Sequence, residues 1–281
     1  MGETLTMILD DTAYRLEPGW GRPADGRYGL LSQVAVDAGG RVLVLQRNDP
    51  GILVMSADGE QAALWGADRL VDPHGITALP DGRIAVVDRD AHQILFFDAE
   101  GRVAATLGER HRPRFGQPFN HPTAIAMAPD GEIYVADGYA NTRVHRFSAT
   151  GEHLSSWGEP GRGPGQFSTP HAVLVDARDR IVVADRENDR LQFFDRAGTL
   201  LAEWGDVYRP MALAADAMGR ILVTDQVPRL SLFDLDGRLV GRCRPALNGA
   251  HGMAVAPDGI VYLAEMIPSR VTRMVPAGAA A

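Results

Sequence analysis

One unit recurs along this chain. Residues 75–108, GITALPDGRIAVVDRDAHQILFFDAEGRVAATLG, return in altered form as residues 124–158, AIAMAPDGEIYVADGYANTRVHRFSATGEHLSSWG. Each copy holds an apolar run, an Asp-Gly turn, a second run ending in Asp, a polar loop, a third run and a second glycine turn. Trp-Gly or Leu-Gly pairs close the copies: Trp20-Gly21, Trp65-Gly66, Leu107-Gly108, Trp157-Gly158 and Trp204-Gly205. Runs such as IAVV and IYVAD are β-branched and bounded by turn residues, so they read as strands. Asp-Gly suits the tight turns between them, because glycine takes positive φ without steric cost. A unit of 40 to 50 residues with four strands is a propeller blade.

Aligned on the first hairpin turn (Gly40, Gly82, Gly131, Asp179, Gly219, Gly259), the chain holds six such units. The sixth, HGMAVAPDGIVYLAEMIPSRVTRMVP, stops without an outermost strand, and the N-terminal AYRLEPGWG supplies a candidate for it. The expectation is an all-β, six-bladed β-propeller of four-stranded antiparallel blades, closed by the N-terminal strand, with residues 1–281 as one domain. Such closure removes a free sheet edge.

Composition narrows the function. The net charge of −8 leaves no surplus of positive charge for a nucleic-acid partner. The basic residues are all arginine, which removes Schiff-base lysine and phosphate-loop lysine chemistry. Cys243 is the one cysteine, so neither an internal disulfide nor a cysteine-rich zinc site is expected. The N-terminus lacks a basic region followed by an apolar stretch, and there is no apolar run long enough to span a bilayer. A cytoplasmic protein without membrane or nucleic-acid partners is the expectation.

The first strand of a propeller blade lines the central channel. Eight residues before the aligned turn, the six blades carry Ser32, His74, Thr123, His171, Met211 and His251. Histidine fills the slot in alternate blades, which lie about 120° apart on a six-fold ring. A lone histidine on a buried strand is more often a hydrogen-bonded core residue than a ligand. Three in one slot, in strict alternation, instead predict imidazoles converging at one depth, as in a zinc site with an open fourth position. Of the other histidines, His92, His111, His145 and His153 read as packing or solvated residues, while His121 lies near a channel mouth.

The second strand ends in Gln46, Asp88, Asp137, Asp185, Asp225 or Glu265. Such regularity suggests a structural role, a side chain accepting backbone N–H groups. The next position holds Arg47, Arg89, Gly138, Arg186, Gln226 or Met266, at the same end of the blade as the histidines. Arginines there offer a fixed fork for a substrate carboxylate, although a surface ion pair is the plainer reading of DRD and DRE. Tyr139 follows Gly138; a phenol beside cations can serve as a general base, or simply pack as a lid.

VADGYANTRV and GPGQFSTPHAVLVDARDRIVVADRENDRLQFF resemble the lyase domain of peptidylglycine α-amidating enzymes, six-bladed propellers of the NHL-repeat type. The resemblance covers nearly the whole chain and is sharpest from residue 121 to 196. It implies that His74, His171 and His251 bind Zn2+, that Tyr139 acts on the substrate hydroxyl, and that Arg47 and Arg186 serve the active site. Arg89, not a position of the family, and Thr123, which shares the histidine slot, are further candidates for substrate binding. The family places an aspartate after its third zinc histidine that helps hold a structural calcium; here that residue is Gly252, and NGAH replaces a Met-Pro-His arrangement. The family's disulfide cysteines are absent, Ala140 standing where one is usual, which accords with a reducing compartment.

The activity implied is cleavage of a carbinolamide, R–CO–NH–CH(OH)–COO⁻, to an amide and glyoxylate. Ureidoglycolate shares the N–CH(OH)–COO⁻ core and is a second candidate for this small, carboxylate-bearing substrate. Two other readings stay open: a metal-dependent hydrolase of an ester, lactone or amide, and a non-catalytic NHL scaffold that binds a partner protein. Loops 109–120 and 159–168 are expected at the rim of the site.

Overall fold

The computed structural model describes residues 5–49, 51–246 and 248–278. Six antiparallel sheets surround a central channel. Five have four strands each, running in sequence order from channel to rim. The inner strands are Leu31–Val36, Pro73–Ala78, Ala124–Met127, Pro170–Val175, Pro210–Ala215 and Ala250–Val255. Blades 1 to 6 are numbered from these strands in chain order.

The sixth blade closes the ring with chain from both ends. Its third strand, Ser269–Pro276, pairs with Thr12–Trp20, the expected N-terminal strand. A further strand, Thr6–Leu9, then pairs outside it, so this blade has five strands where four were expected. Leu9 is buried in the core shared by blades 5 and 6, and Arg220 holds Asp10 at 2.8 Å. The hairpin therefore clips the closing blade to its neighbour.

The hydrophobic core lies between blades. Val42, Val44 and Leu53 of blade 1 pack with Tyr262 and Ala264 of blade 6, while Leu43, Leu45 and Ile52, on the other face of that sheet, pack with Ile84 and Val86 of blade 2. Strands buried on both faces read as continuous apolar runs, as VLVL and IAVV do. The closing tryptophans have a specific seat. A Cβ added to Gly101 would lie 2.5 Å from the Trp65 indole of the preceding blade. Gly198 stands in the same relation to Trp157, and Gly237 to Trp204. The pairing of Trp-Gly with the later FD..G turn is thus an inter-blade contact that only glycine accommodates.

The channel slot owes its geometry to a ladder irregularity. Pairing shifts register between Pro73 and Gly75, Pro170 and Ala172, Pro210 and Ala212, and Ala250 and Gly252. His74, His171, Met211 and His251 are the residues skipped. A bulge re-aims the side chain it leaves out of the ladder, here into the channel. Among the described residues no helix is long and apolar enough to cross a membrane; the only helical turn is the 3-10 segment Arg186–Asn188.

Candidate metal centre

His74, His171 and His251 meet on the channel axis. Their ring centroids are separated by 4.8, 4.9 and 4.9 Å, with interplanar angles of 77°, 74° and 76°. One ring nitrogen from each lies within 4.8 Å of the others, and all three residues are buried. This is the only His/Cys/Asp/Glu group of such geometry among the described residues.

Which nitrogen faces the centre follows from the hydrogen bonds. His74 Nδ1 lies 2.8 Å from the carbonyl of Thr123, His171 Nδ1 2.7 Å from that of Met211, and His251 Nδ1 2.8 Å from that of Ser32. A carbonyl only accepts, so each Nδ1 carries the proton and each Nε2 presents a lone pair. The partners are the three residues that fill the same slot in the intervening blades. The ring of six slots is therefore one device, in which each histidine is steered by the next blade's backbone. A carbonyl that accepts from the far ring nitrogen in this way orients an imidazole ligand. His171 Nε2 is buried without a partner among the described residues, as a nitrogen meant for a cation would be.

The surroundings keep the imidazoles neutral. Burial, followed by the neighbouring histidines, holds His74 well below the usual histidine value, and His171 is shifted the same way by burial and His251. Burial lowers His251 to about 4, and Arg47, Arg186 and Arg89 act on it in the same direction. Neutral imidazole is the form that binds metal. The residues fit a divalent cation such as zinc.

Tyr139 reaches the triad from blade 3, its hydroxyl 3.0 Å from His74 Nε2 and 3.3 Å from an Arg186 nitrogen. The guanidiniums of Arg89 and Arg186 stand 5.3 and 5.4 Å from its ring centroid. Gly138 precedes it for a steric reason, since a Cβ there would sit 2.0 Å from the Pro170 carbonyl oxygen. Arg47 is gripped by Asp72 at 2.7 and 2.9 Å, and Arg89 pairs with the same carboxylate and with Asp90. Arg186 is held by Glu187, which also binds Arg209. The plainer reading of these arginines as ion-paired is thus correct of their outer faces. Asp72, the common anchor of Arg47 and Arg89, lies outside any slot and carries no repeat signal.

The Thr123 hydroxyl lies 2.8 Å from the Pro170 carbonyl and 3.0 Å from that of Ala136, and the residue is buried, so Thr123 is placed to support His74. The strand-end acids accept backbone N–H groups, as in Asp88 with Val71 and Asp72 or Asp185 with Ser168. His145 is buried between Asp137 and Ser156. His121 stacks edge-on against His92 and lies 3.9 Å from Asp90 at the mouth. Loop 159–168 borders a cavity of about 250 Å³ that includes Tyr139, whereas loop 109–120 is pinned over blades 2 and 3 by Asn141. Gly252 has no room for a side chain: a Cβ would lie 2.2 Å from Gln33 Oε1, which itself accepts the N–H groups of Met253 and Val34.

Similarity to known proteins agrees with this architecture. The NHL repeat pattern matches residues 70–97 and 119–147. Peptidyl-alpha-hydroxyglycine alpha-amidating lyase 1 of Drosophila melanogaster is 29% identical over 255 residues, covering 78% of this chain and 47% of the fly protein. The chain thus spans about half the length of that relative. NHL repeat-containing protein 3 of Mus musculus is 29% identical over 299 residues, covering 95% of this chain and 86% of the mouse protein. Among solved structures, a streptogramin B lyase superposes with a TM-score of 0.70 at 12% identity, over 94% of this chain and 98% of that one, a likeness of fold. The chain carries two segments that match the NHL repeat and folds as a six-bladed β-propeller.

Proposed function

We propose that this protein is a zinc-dependent lyase that splits the C–N bond of an α-hydroxyglycine-type carbinolamide into an amide and glyoxylate. The observation that carries this reading is the placement of the Tyr139 hydroxyl against His74 Nε2, between two guanidiniums, at the one point where three Nδ1-anchored histidines meet. Its sequence relatives named as amidating lyases support the same chemistry.

The three Nε2 atoms would hold the cation, which supplies Lewis acidity to an oxygen that reaches it. Arg47 and Arg186, fixed from behind by Asp72 and Glu187, present the substrate carboxylate with forks already oriented. Tyr139, as phenolate, takes the proton of the carbinol hydroxyl. The O–H electrons become the second bond of the aldehyde as the C–N bond breaks, and the proton passes to the departing nitrogen, giving R–CO–NH₂ and OHC–COO⁻. Arg186, donating to the phenol oxygen, steadies the charge that this exchange moves.

The substrate is thus a small carboxylate. A cytoplasmic setting fits the single buried cysteine, Cys243, whose thiol burial pushes up to about 11. Zinc-loaded protein mixed with α-hydroxyhippurate should release benzamide and glyoxylate above the uncatalysed rate. Zinc-loaded protein that leaves this rate unchanged would remove the lyase reading and return the partner-binding one.

A further inference from the structure

The three histidine blades are not held alike. One residue past the histidine slot the six blades carry Gln33, Gly75, Ala124, Ala172, Ala212 and Gly252, so blade 1 alone has a polar side chain there. Gln33 Oε1 accepts from the Met253 N–H of blade 6 at 2.6 Å and from the Val34 N–H of its own strand at 2.9 Å. Two N–H donors converging on one atom identify it as the amide oxygen. The carbonyl of the preceding residue, Ser32, meets His251 Nδ1 at 2.8 Å. Blade 1 thus grips blade 6 at two points, the imidazole of His251 and the peptide N–H two residues further on. Gly252 lies between them.

Gly252 explains why one grip does not suffice. His251 sits in the bulge, so the ladder does not fix its peptide. The residue that follows is glycine, whose backbone has the widest freedom. Its size is dictated by how closely the blades approach, since a Cβ there would lie 2.5 Å from Gln33 Cα and 2.7 Å from the Ser32 carbonyl oxygen. The His-Gly pair recurs in blade 2, and there too blade 1 supplies the restraint: Ser32 Oγ donates to the His74 carbonyl at 2.6 Å. In blade 4 the stiffer Ala172 follows His171. Gln33 also borders, together with the three histidines, a channel cavity of about 240 Å³.

We infer that Gln33 is the positioning residue for His251. Its amide oxygen anchors the chain just beyond the bulge, while the Ser32 carbonyl anchors the ring, and the two together set the tilt at which Nε2 faces the centre. Metal–nitrogen distances tolerate only about 0.2 Å, so a peptide free to rock about Gly252 would weaken the site. The inference rests on the metal-centre reading of the triad and is independent of the reaction.

Variants at Gln33 separate positioning from folding. Gln33→Met fills the same space without an acceptor, whereas Gln33→Glu keeps an oxygen for the Met253 N–H. Competition with a chelator should show the zinc Kd of Gln33→Met raised about 10- to 100-fold, the usual cost of losing a group that orients a ligand. Gln33→Glu should retain the parent Kd. With Co2+ in place of zinc, the visible absorption of Gln33→Glu should match the parent and that of Gln33→Met should be displaced. The smaller Gln33→Ala carries the same expectation where methionine disturbs folding. Thermal melts of the metal-free proteins read folding alone. Lower melts with an unchanged Kd and Co2+ spectrum would reduce Gln33 to a structural residue and overturn the inference, as would equal losses in Gln33→Met and Gln33→Glu. A parent protein that takes up neither Zn2+ nor Co2+ would instead overturn the metal-centre reading itself, and the inference with it.

Discussion

His74 Nε2 and the hydroxyl of Tyr139 lie 3.0 Å apart, although 65 residues separate them in the chain. Because His74 Nδ1–H is engaged by the Thr123 carbonyl, the phenol donates and the imidazole accepts. The proposed base and a nitrogen of the candidate metal centre therefore share one point in space. Replacing Tyr139 with phenylalanine should leave the triad intact and lower kcat by about 10²- to 10⁴-fold, the usual range for a general base. Glyoxylate release by a variant that retains its zinc is the measurement; an unchanged kcat would remove Tyr139 from the chemistry.

Loss of one imidazole should abolish the site. His171→Ala is expected to carry no stoichiometric zinc after dialysis, where the parent protein holds about one per chain. In the parent protein, zinc at a hundredfold over its Kd should add about 2.7 kcal/mol of stability, an increment His171→Ala should lack. Elemental analysis and thermal melts with and without zinc distinguish a ligand from a packing residue.

The buried triad predicts an acid-sensitive metal-free protein. Burial depresses His74 and His171 well below the usual value and His251 to about 4. The unfolded chain binds these protons near pH 6.5, the folded protein only at lower pH. Stability is thus fully present above pH 6.5 and lost as pH falls toward 4. Urea midpoints of chelator-treated protein should decline across that window. A flat profile would show that the imidazoles are not buried as neutral groups.

Asp72 should act through the arginines it holds. Asp72→Asn removes the charge gripping Arg47 and Arg89, and we expect KM for the carbinolamide to rise about tenfold with zinc content unchanged, since the forks lose their preset orientation. A comparable fall in kcat with constant KM would instead place the carboxylate in the chemical step.

The blade-to-blade seat of the tryptophans gives a stability test remote from the site. Gly101 has φ +82° and its absent Cβ would meet the Trp65 indole at 2.5 Å. Gly101→Ala should cost more than about 1 kcal/mol, because both strain and a clash oppose it. Chemical denaturation would measure this, with metal content and activity preserved at moderate temperature.

Much of this protein was legible in its residues because a propeller repeats its local instructions. Turn glycines and β-branched runs act over a few residues, so the six units, their order and the N-terminal closing strand followed from the chain itself. Aligning the repeats also brought His74, His171 and His251 into one slot, and Arg47, Arg89, Tyr139 and Arg186 near one end of their blades. A repeat converts sequence position into position around an axis, which is why a candidate ligand set spread over 178 residues, from His74 to His251, could be seen at all.

What the tertiary structure decided lies between blades, where residues remote in sequence meet without a shared pattern. Only there do the carbonyls of Ser32, Thr123 and Met211 choose the tautomer of the three histidines. Only there does Asp72 join two arginines, or Gln33 occupy the space beside Gly252. The extra strand Thr6–Leu9 likewise has no counterpart in the repeat, since its place is determined by burying Leu9 against blade 5. Local chemistry determines the blade and its slots. The direction of each proton and charge within them depends on backbone groups and side chains that only the closed ring brings into contact.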